Sequence, residues 1–214
     1  MKKAIITGAS SGLGLEVGKQ LKNNGFEVIN ISRNISEFIN ITCDLCLDEN
    51  LNKTIAEIKK KHFDFNILIL NAGIMPKAKI GEIDFDIDKL FQINITSNIK
   101  LINGLTELII KNKADIVIVG STASFNSYSE DSVYSSTKHA ILGFIKYLQA
   151  EFKTEEVRII GFHPGGFNSN LRGEGVFKEG YMNPKELAKI MIQILELPKN
   201  MEVSEIIINR KRMK

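Results

Sequence analysis

A phenol and an ammonium four residues apart, Tyr134 and Lys138 in the run Tyr134-Ser135-Ser136-Thr137-Lys138, are the side chains of this sequence best suited to proton chemistry. On a helix that spacing puts both on one face. A free phenol ionises near ~10, too high to trade protons readily at neutral pH. A positive charge beside it favours the phenolate and draws the group toward a useful range. Ser121, thirteen residues upstream, offers a hydroxyl partner. Near the start stands Thr7-Gly8-Ala9-Ser10-Ser11-Gly12-Leu13-Gly14. Glycines so placed between a strand and a helix let the backbone turn tightly and approach a pyrophosphate at the helix N-terminus. A nucleotide loop and a tuned phenol together point to hydride transfer with a proton relay.

The elements that must position these groups follow from the apolar pattern. Short runs rich in Ile and Val at 3–7, 26–31, 38–42, 66–70, 115–120, 157–162 and 205–209 read as strands. Between them, helical patterns span 12–24, 47–61, 88–111, 132–152 and 184–197, the last opening on Pro184 at a favourable first position. Continuous apolar strands separated by helices predict a three-layer, doubly wound α/β domain with a parallel sheet, Rossmann-like in form, over residues 1–214.

Composition narrows the function classes. The chain has 214 residues, enough for one domain with a proper core, and a net charge of +3, too mild to argue for nucleic acid. No apolar run reaches membrane-spanning length, and Met1-Lys2-Lys3 leads straight into a strand, so a cytoplasmic protein with no membrane partner is expected. The basic run Arg210-Lys211-Arg212-Met213-Lys214 reads as a solvated terminus. Cys43 and Cys46 form a C-x-x-C, but three scattered histidines supply no matching ligands, so reduced structural thiols and no metal are expected. Asp84-Phe85-Asp86-Ile87-Asp88 reads as a turn and helix cap, because Lys89 and Ile95 stand where a calcium loop needs glycine and glutamate.

The end of the second strand bears on cofactor choice. An acidic residue there would accept from a ribose 2′-hydroxyl; this chain has Ser32-Arg33-Asn34 instead. A guanidinium pairs with a 2′-phosphate and Ser32 could add a hydrogen bond, so NADP(H) is preferred and NAD(H) possible.

Taken together, these residues resemble the short-chain dehydrogenase/reductase family in its compact single-domain form. Thr7-Gly8-x-x-x-Gly12-x-Gly14 resembles the family's cofactor loop, and Asp44-Leu45 its adenine contact. Asn71-Ala72-Gly73 is similar to the motif that borders the cofactor and braces the sheet. Asn94, Ser121, Tyr134 and Lys138 fall in the order of the catalytic tetrad, and Pro164-Gly165 matches the motif beside the nicotinamide. Ser169 stands where the family often has a threonine touching the carboxamide.

The resemblance implies roles. Tyr134 exchanges the proton, Ser121 holds the substrate oxygen, Lys138 tunes Tyr134 and bonds the nicotinamide ribose, and Asn94 anchors a water that resupplies the proton. Thr122 and Ser124 are alternative hydroxyl donors, Tyr128 either lines the pocket or is exposed, and His163 reads as a satisfied structural histidine. A short, glycine-rich segment at about 166–183 is expected to shape the site for a small-molecule carbonyl or alcohol. Ile99, Ile102, Leu142, Ile145 and Leu148 suggest helix pairing in a homodimer or homotetramer. The alternative in another class is an NADP(H)-binding sensor without turnover. A nucleotide-sugar epimerase would need a substrate domain that the sequence lacks.

Overall fold

The computed structural model describes residues 1–169 and 179–211. Its strands are β1 (Lys3–Thr7), β2 (Glu27–Ser32), β3 (Ile39–Thr42), β4 (Ile67–Leu70), β5 (Asp115–Val119), β6 (Ile159–Pro164) and β7 (Glu205–Ile208). They form one parallel sheet in the order β3-β2-β1-β4-β5-β6-β7. Helices α1 (Gly12–Asn23) and α6 (Pro184–Leu195) cover one face. The other is covered by α2 (Asp48–Lys61), α4 (Ser97–Asn112) and α5 (Ser132–Glu151). A strand covered on both faces has no use for polar alternation, which is why all four residues of β4 are buried. The expected α/β architecture is the one observed.

Chain order places the site. From β1 the chain winds outward to β2 and β3, then returns to β4 on the other side of β1. The reversal opens a crevice at the carboxyl ends of β1 and β4, where open α/β sheets bind ligands. Thr7, Leu70, Val119 and Pro164 end their strands at that edge.

The helix expected over 88–111 differs from the one observed. It opens as α3 (Ile87–Phe91), capped by Asp86, whose side chain accepts from the Lys89 amide at 2.9 Å as the cap reading anticipated. A π-helical turn, Gln92–Thr96, then separates α3 from α4. The cause is tertiary. Asn94, buried in that turn, is bonded to residues distant in sequence, and one extra residue per turn is the accommodation.

The helix faces also differ from expectation. Ile102, Ile145 and Leu148 are 3%, 0% and 4% exposed and belong to this chain's own core, so they cannot meet a partner. The sheet claims them first. Ile99 and Tyr147 remain exposed on α4 and α5, with Leu142 half-buried.

Candidate active site

The glycine loop is built for close approach. Gly8 and Gly12 hold φ of +74° and +57°, a region where a side chain is strained. Gly14 meets a different demand: a Cβ there would sit 2.4 Å from the Gly8 carbonyl oxygen and 2.6 Å from Asn71 Nδ2. Gly14 therefore lets α1 pack against the loop, and it is not among the cavity-lining residues. Ser11, the N-cap of α1, makes no side-chain cap hydrogen bond, and the first turn carries no acidic residue. Its amides and positive dipole end are thus available to an anion.

β1 and β4 are tied beneath the loop. Thr7 Oγ1 accepts from the amides of Asn71 and Ala72 at 2.9 and 3.0 Å. Asn71 Nδ2 donates to the carbonyls of Thr7 and Gly8 at 3.0 and 3.2 Å. Asn30, fully buried on β2, was missed from sequence because an asparagine inside a strand carries no motif. Its Oδ1 accepts from the Ala9 amide at 2.9 Å, while Nδ2 reaches Ser32 Oγ, the Asn34 carbonyl and Asn40 Oδ1. That amide couples the glycine loop to the turn after β2. Ser32 gives its hydroxyl proton to the Asn34 carbonyl at 2.6 Å, and Arg33 lines the cavity beside it. Cys43, Asp44 and Leu45 also line the cavity, and both cysteines are free thiols.

At the other end, Tyr134 and Lys138 lie on α5 facing the edge of the sheet. Lys138 is 6% exposed, its Nζ donates to the Val119 carbonyl at 3.2 Å and lies 5.7 Å from the Tyr134 ring centroid. Burial alone pushes its pKa down to about 8. Ser121 Oγ accepts from the Ala123 amide at 3.1 Å, which leaves its proton for another partner. Ser124 is spent on the Lys138 carbonyl at 2.7 Å and Thr122 sits 3.4 Å from the Tyr128 hydroxyl, so geometry favours Ser121 among the three hydroxyls.

Asn94 stands behind these groups. Its Oδ1 accepts from the Ile74 amide at 2.9 Å, and Nδ2 donates to the Ile74 carbonyl and Thr137 Oγ1 at 3.0 and 3.1 Å. The side chain thus locks the loop after β4 to α5, one residue before Lys138. It does not line the cavity.

His163 is structural but not satisfied. It is fully buried, and neither ring nitrogen has a hydrogen-bond partner. It packs edge-on against Phe125 at 5.0 Å and fills the space over Gly120, where a Cβ would lie 2.2 Å from Nδ1. Burial first, then the charges of Lys138 and Lys146, lowers its pKa to about 4, so the ring is neutral.

A cavity of about 1060 Å³ joins the two ends. Its wall includes Gly8, Ser10, Ser11, Gly12 and Leu13, then Ser32, Arg33, Asp44 and Leu45. Asn71, Ala72 and Gly73 follow, with Ser121, Tyr134, Lys138, Pro164, Gly165 and Ser169. Tyr128 lines it as well while remaining 49% exposed. Lys77, Asp131, Tyr181 and Arg210 were not anticipated, since only the fold brings them together. The segment at 166–183 is pinned at its base, where the Asn168 amide donates to the Met182 carbonyl at 3.0 Å and the Met182 amide to that of Gly166 at 3.2 Å; residues 170–178 lie outside the described residues.

Comparison with known proteins gives the family. The family model for short chain dehydrogenases matches residues 2–179, and the chain belongs to that family of oxidoreductases. An uncharacterized oxidoreductase of Staphylococcus saprophyticus is 25% identical over 225 residues, covering 96% of this chain and 95% of the relative. The NADPH-dependent 1-acyldihydroxyacetone phosphate reductase of Saccharomyces cerevisiae is 28% identical over 185 residues, covering 79% of this chain and 62% of the relative. Among solved structures, the alcohol dehydrogenase of Thermococcus sibiricus complexed with 5-hydroxy-NADP superposes with a TM-score of 0.90 at 20% identity, covering 100% of this chain and 99% of that one.

Proposed function

We propose that this protein is an NADP(H)-dependent oxidoreductase interconverting a carbonyl and an alcohol, with Tyr134 as proton donor and acceptor. One observation carries the reading: Ser121, Tyr134 and Lys138 converge at one end of the cavity whose other end is the glycine loop. The cradle suits a dinucleotide, given the uncapped α1 N-terminus and the loop geometry at Gly8 and Gly12. Arg33 at the far end, with no carboxylate at the end of β2, suits a 2′-phosphate.

Bound in its reduced form, the cofactor supplies a hydride to the carbonyl carbon of the substrate. Tyr134 gives its proton to the carbonyl oxygen, so hydride and proton together complete the alcohol. Ser121 donates to the same oxygen and steadies its developing charge. Lys138, held by the Val119 carbonyl, stabilises the phenolate left on Tyr134. Asn94 fixes α5 against the loop after β4 and so sets the position of both. In oxidation the same groups run in reverse.

The test is Tyr134→Phe. General acid–base catalysis contributes about 10²- to 10⁴-fold, so turnover should fall by at least that factor while NADPH affinity stays within about twofold. Carbonyl reduction at wild-type rate in this variant would reject the assignment.

A further inference from the structure

The substrate end of the cavity carries a cation that the proton chemistry does not use. Arg210 follows β7 and lines the cavity together with Tyr181, its guanidinium carbon 4.3 Å from the centre of the Tyr181 ring. Both pack on the Pro164-Gly165-Gly166 turn. A Cβ on Gly165 would lie 3.0 Å from the Arg210 amide nitrogen and 3.6 Å from Thr122 Cγ2; one on Gly166 would lie 3.0 Å from Tyr181 Cε1. The Arg210 backbone is therefore held across Gly165 from Thr122, the residue that follows Ser121, and the Tyr181 ring places its guanidinium.

Among the described residues, the other charges in this half of the cavity are spoken for. Lys77 lies 3.3 Å from Asp131, and Lys138 donates to the Val119 carbonyl. Among the described residues no carboxylate comes within ion-pair distance of Arg210. Stacking on Tyr181 restrains the guanidinium without using its N–H fork. A planar fork matches the two oxygens of a carboxylate.

We propose that Arg210, steadied by Tyr181, is an anion subsite and that the substrate is a carbonyl or alcohol compound bearing a carboxylate. This rests on the oxidoreductase reading of the same cavity. A cofactor phosphate is the other oxyanion that could reach Arg210, and the experiment separates the two.

Arg210→Met keeps an unbranched stem over Tyr181 and removes the charge; Arg210→Lys keeps the charge and loses the fork. Levulinate and methyl levulinate, matched in shape at the ketone, serve as probes. Binding to the protein–NADP⁺ complex is read by calorimetry, turnover by NADPH oxidation, and NADPH affinity by fluorescence titration. Wild type is expected to bind levulinate more tightly than the ester. Arg210→Met should lose about 10- to 100-fold of levulinate affinity, and Arg210→Lys an intermediate amount. The ester and NADPH should each be affected less than about threefold in both variants.

Equal binding of acid and ester by wild type, or equal losses for both in Arg210→Met, overturns the subsite. A loss confined to NADPH assigns Arg210 to the cofactor and overturns it too. Selective levulinate binding with no reduction of either probe supports the subsite and counts against the reductase reading instead.

Discussion

Burial of Lys138 has a thermodynamic signature separable from catalysis. Its pKa is lowered from 10.5 to about 8 by desolvation alone. Between those values the folded protein binds fewer protons at this site than the unfolded chain, so stability rises with pH. The contribution is complete above 10.5 and is lost as pH falls through about 8. Integrated with these two values, the gain between about pH 7 and pH 9.5 is about 2 kcal/mol. The comparison is Lys138 against Lys138→Met, both on a Tyr134→Phe background so that the phenol's own ionisation does not enter. His163 titrates near 4, outside the window. The methionine variant leaves the Val119 carbonyl without its donor at every pH alike, which offsets the two curves without changing their slopes. Urea unfolding of the cofactor-free proteins should show the lysine protein gaining about 2 kcal/mol on the methionine variant across that interval. A difference independent of pH would refute the claim that Lys138 is buried at this cost.

Two further outcomes are expected. Arg33→Ala should weaken NADPH binding by about 10- to 100-fold, the loss of one charge-assisted contact, and change NADH binding by less than about twofold; an unchanged ratio in paired titrations would remove Arg33 from cofactor selection. Pairing of two copies through the strip around Ile99, Leu142 and Tyr147 should give a sedimenting species of at least twice the 24.0 kDa chain, and monomer alone at about 10 µM would reject the pairing.

Much of this molecule is local in sequence. The glycine loop, Asn71-Ala72-Gly73 and the Tyr134–Lys138 pair each lie within a few residues, at spacings set by turn and helix geometry. Alternating apolar runs fix the strands because a sheet covered on both faces tolerates little else. Periodicity fails where a second element decides. It marks Ile102, Ile145 and Leu148 as apolar without saying that the sheet, not a partner, covers them. It draws one helix through 88–111 because the bonds that unwind it run from Asn94 to Ile74 and Thr137, residues 20 and 43 positions away. The Lys77–Asp131 and Tyr181–Arg210 contacts are invisible for the same reason.

Three costly features share a location. The π-helical turn, the buried ammonium and the histidine with two unpartnered nitrogens all sit around the end of β5 and the start of α5. None favours folding by itself. Each is held by neighbours: Lys138 by the Val119 carbonyl, His163 by the edge of Phe125, Asn94 by Thr137. Burial works against the charge on Lys138, and its pKa is only as constant as that packing, because desolvation is the whole cause of the shift. Gly120 shows how little slack exists, since a single methyl group there would collide with His163. The proton affinity of Lys138 is therefore set by the contacts that keep water away from it.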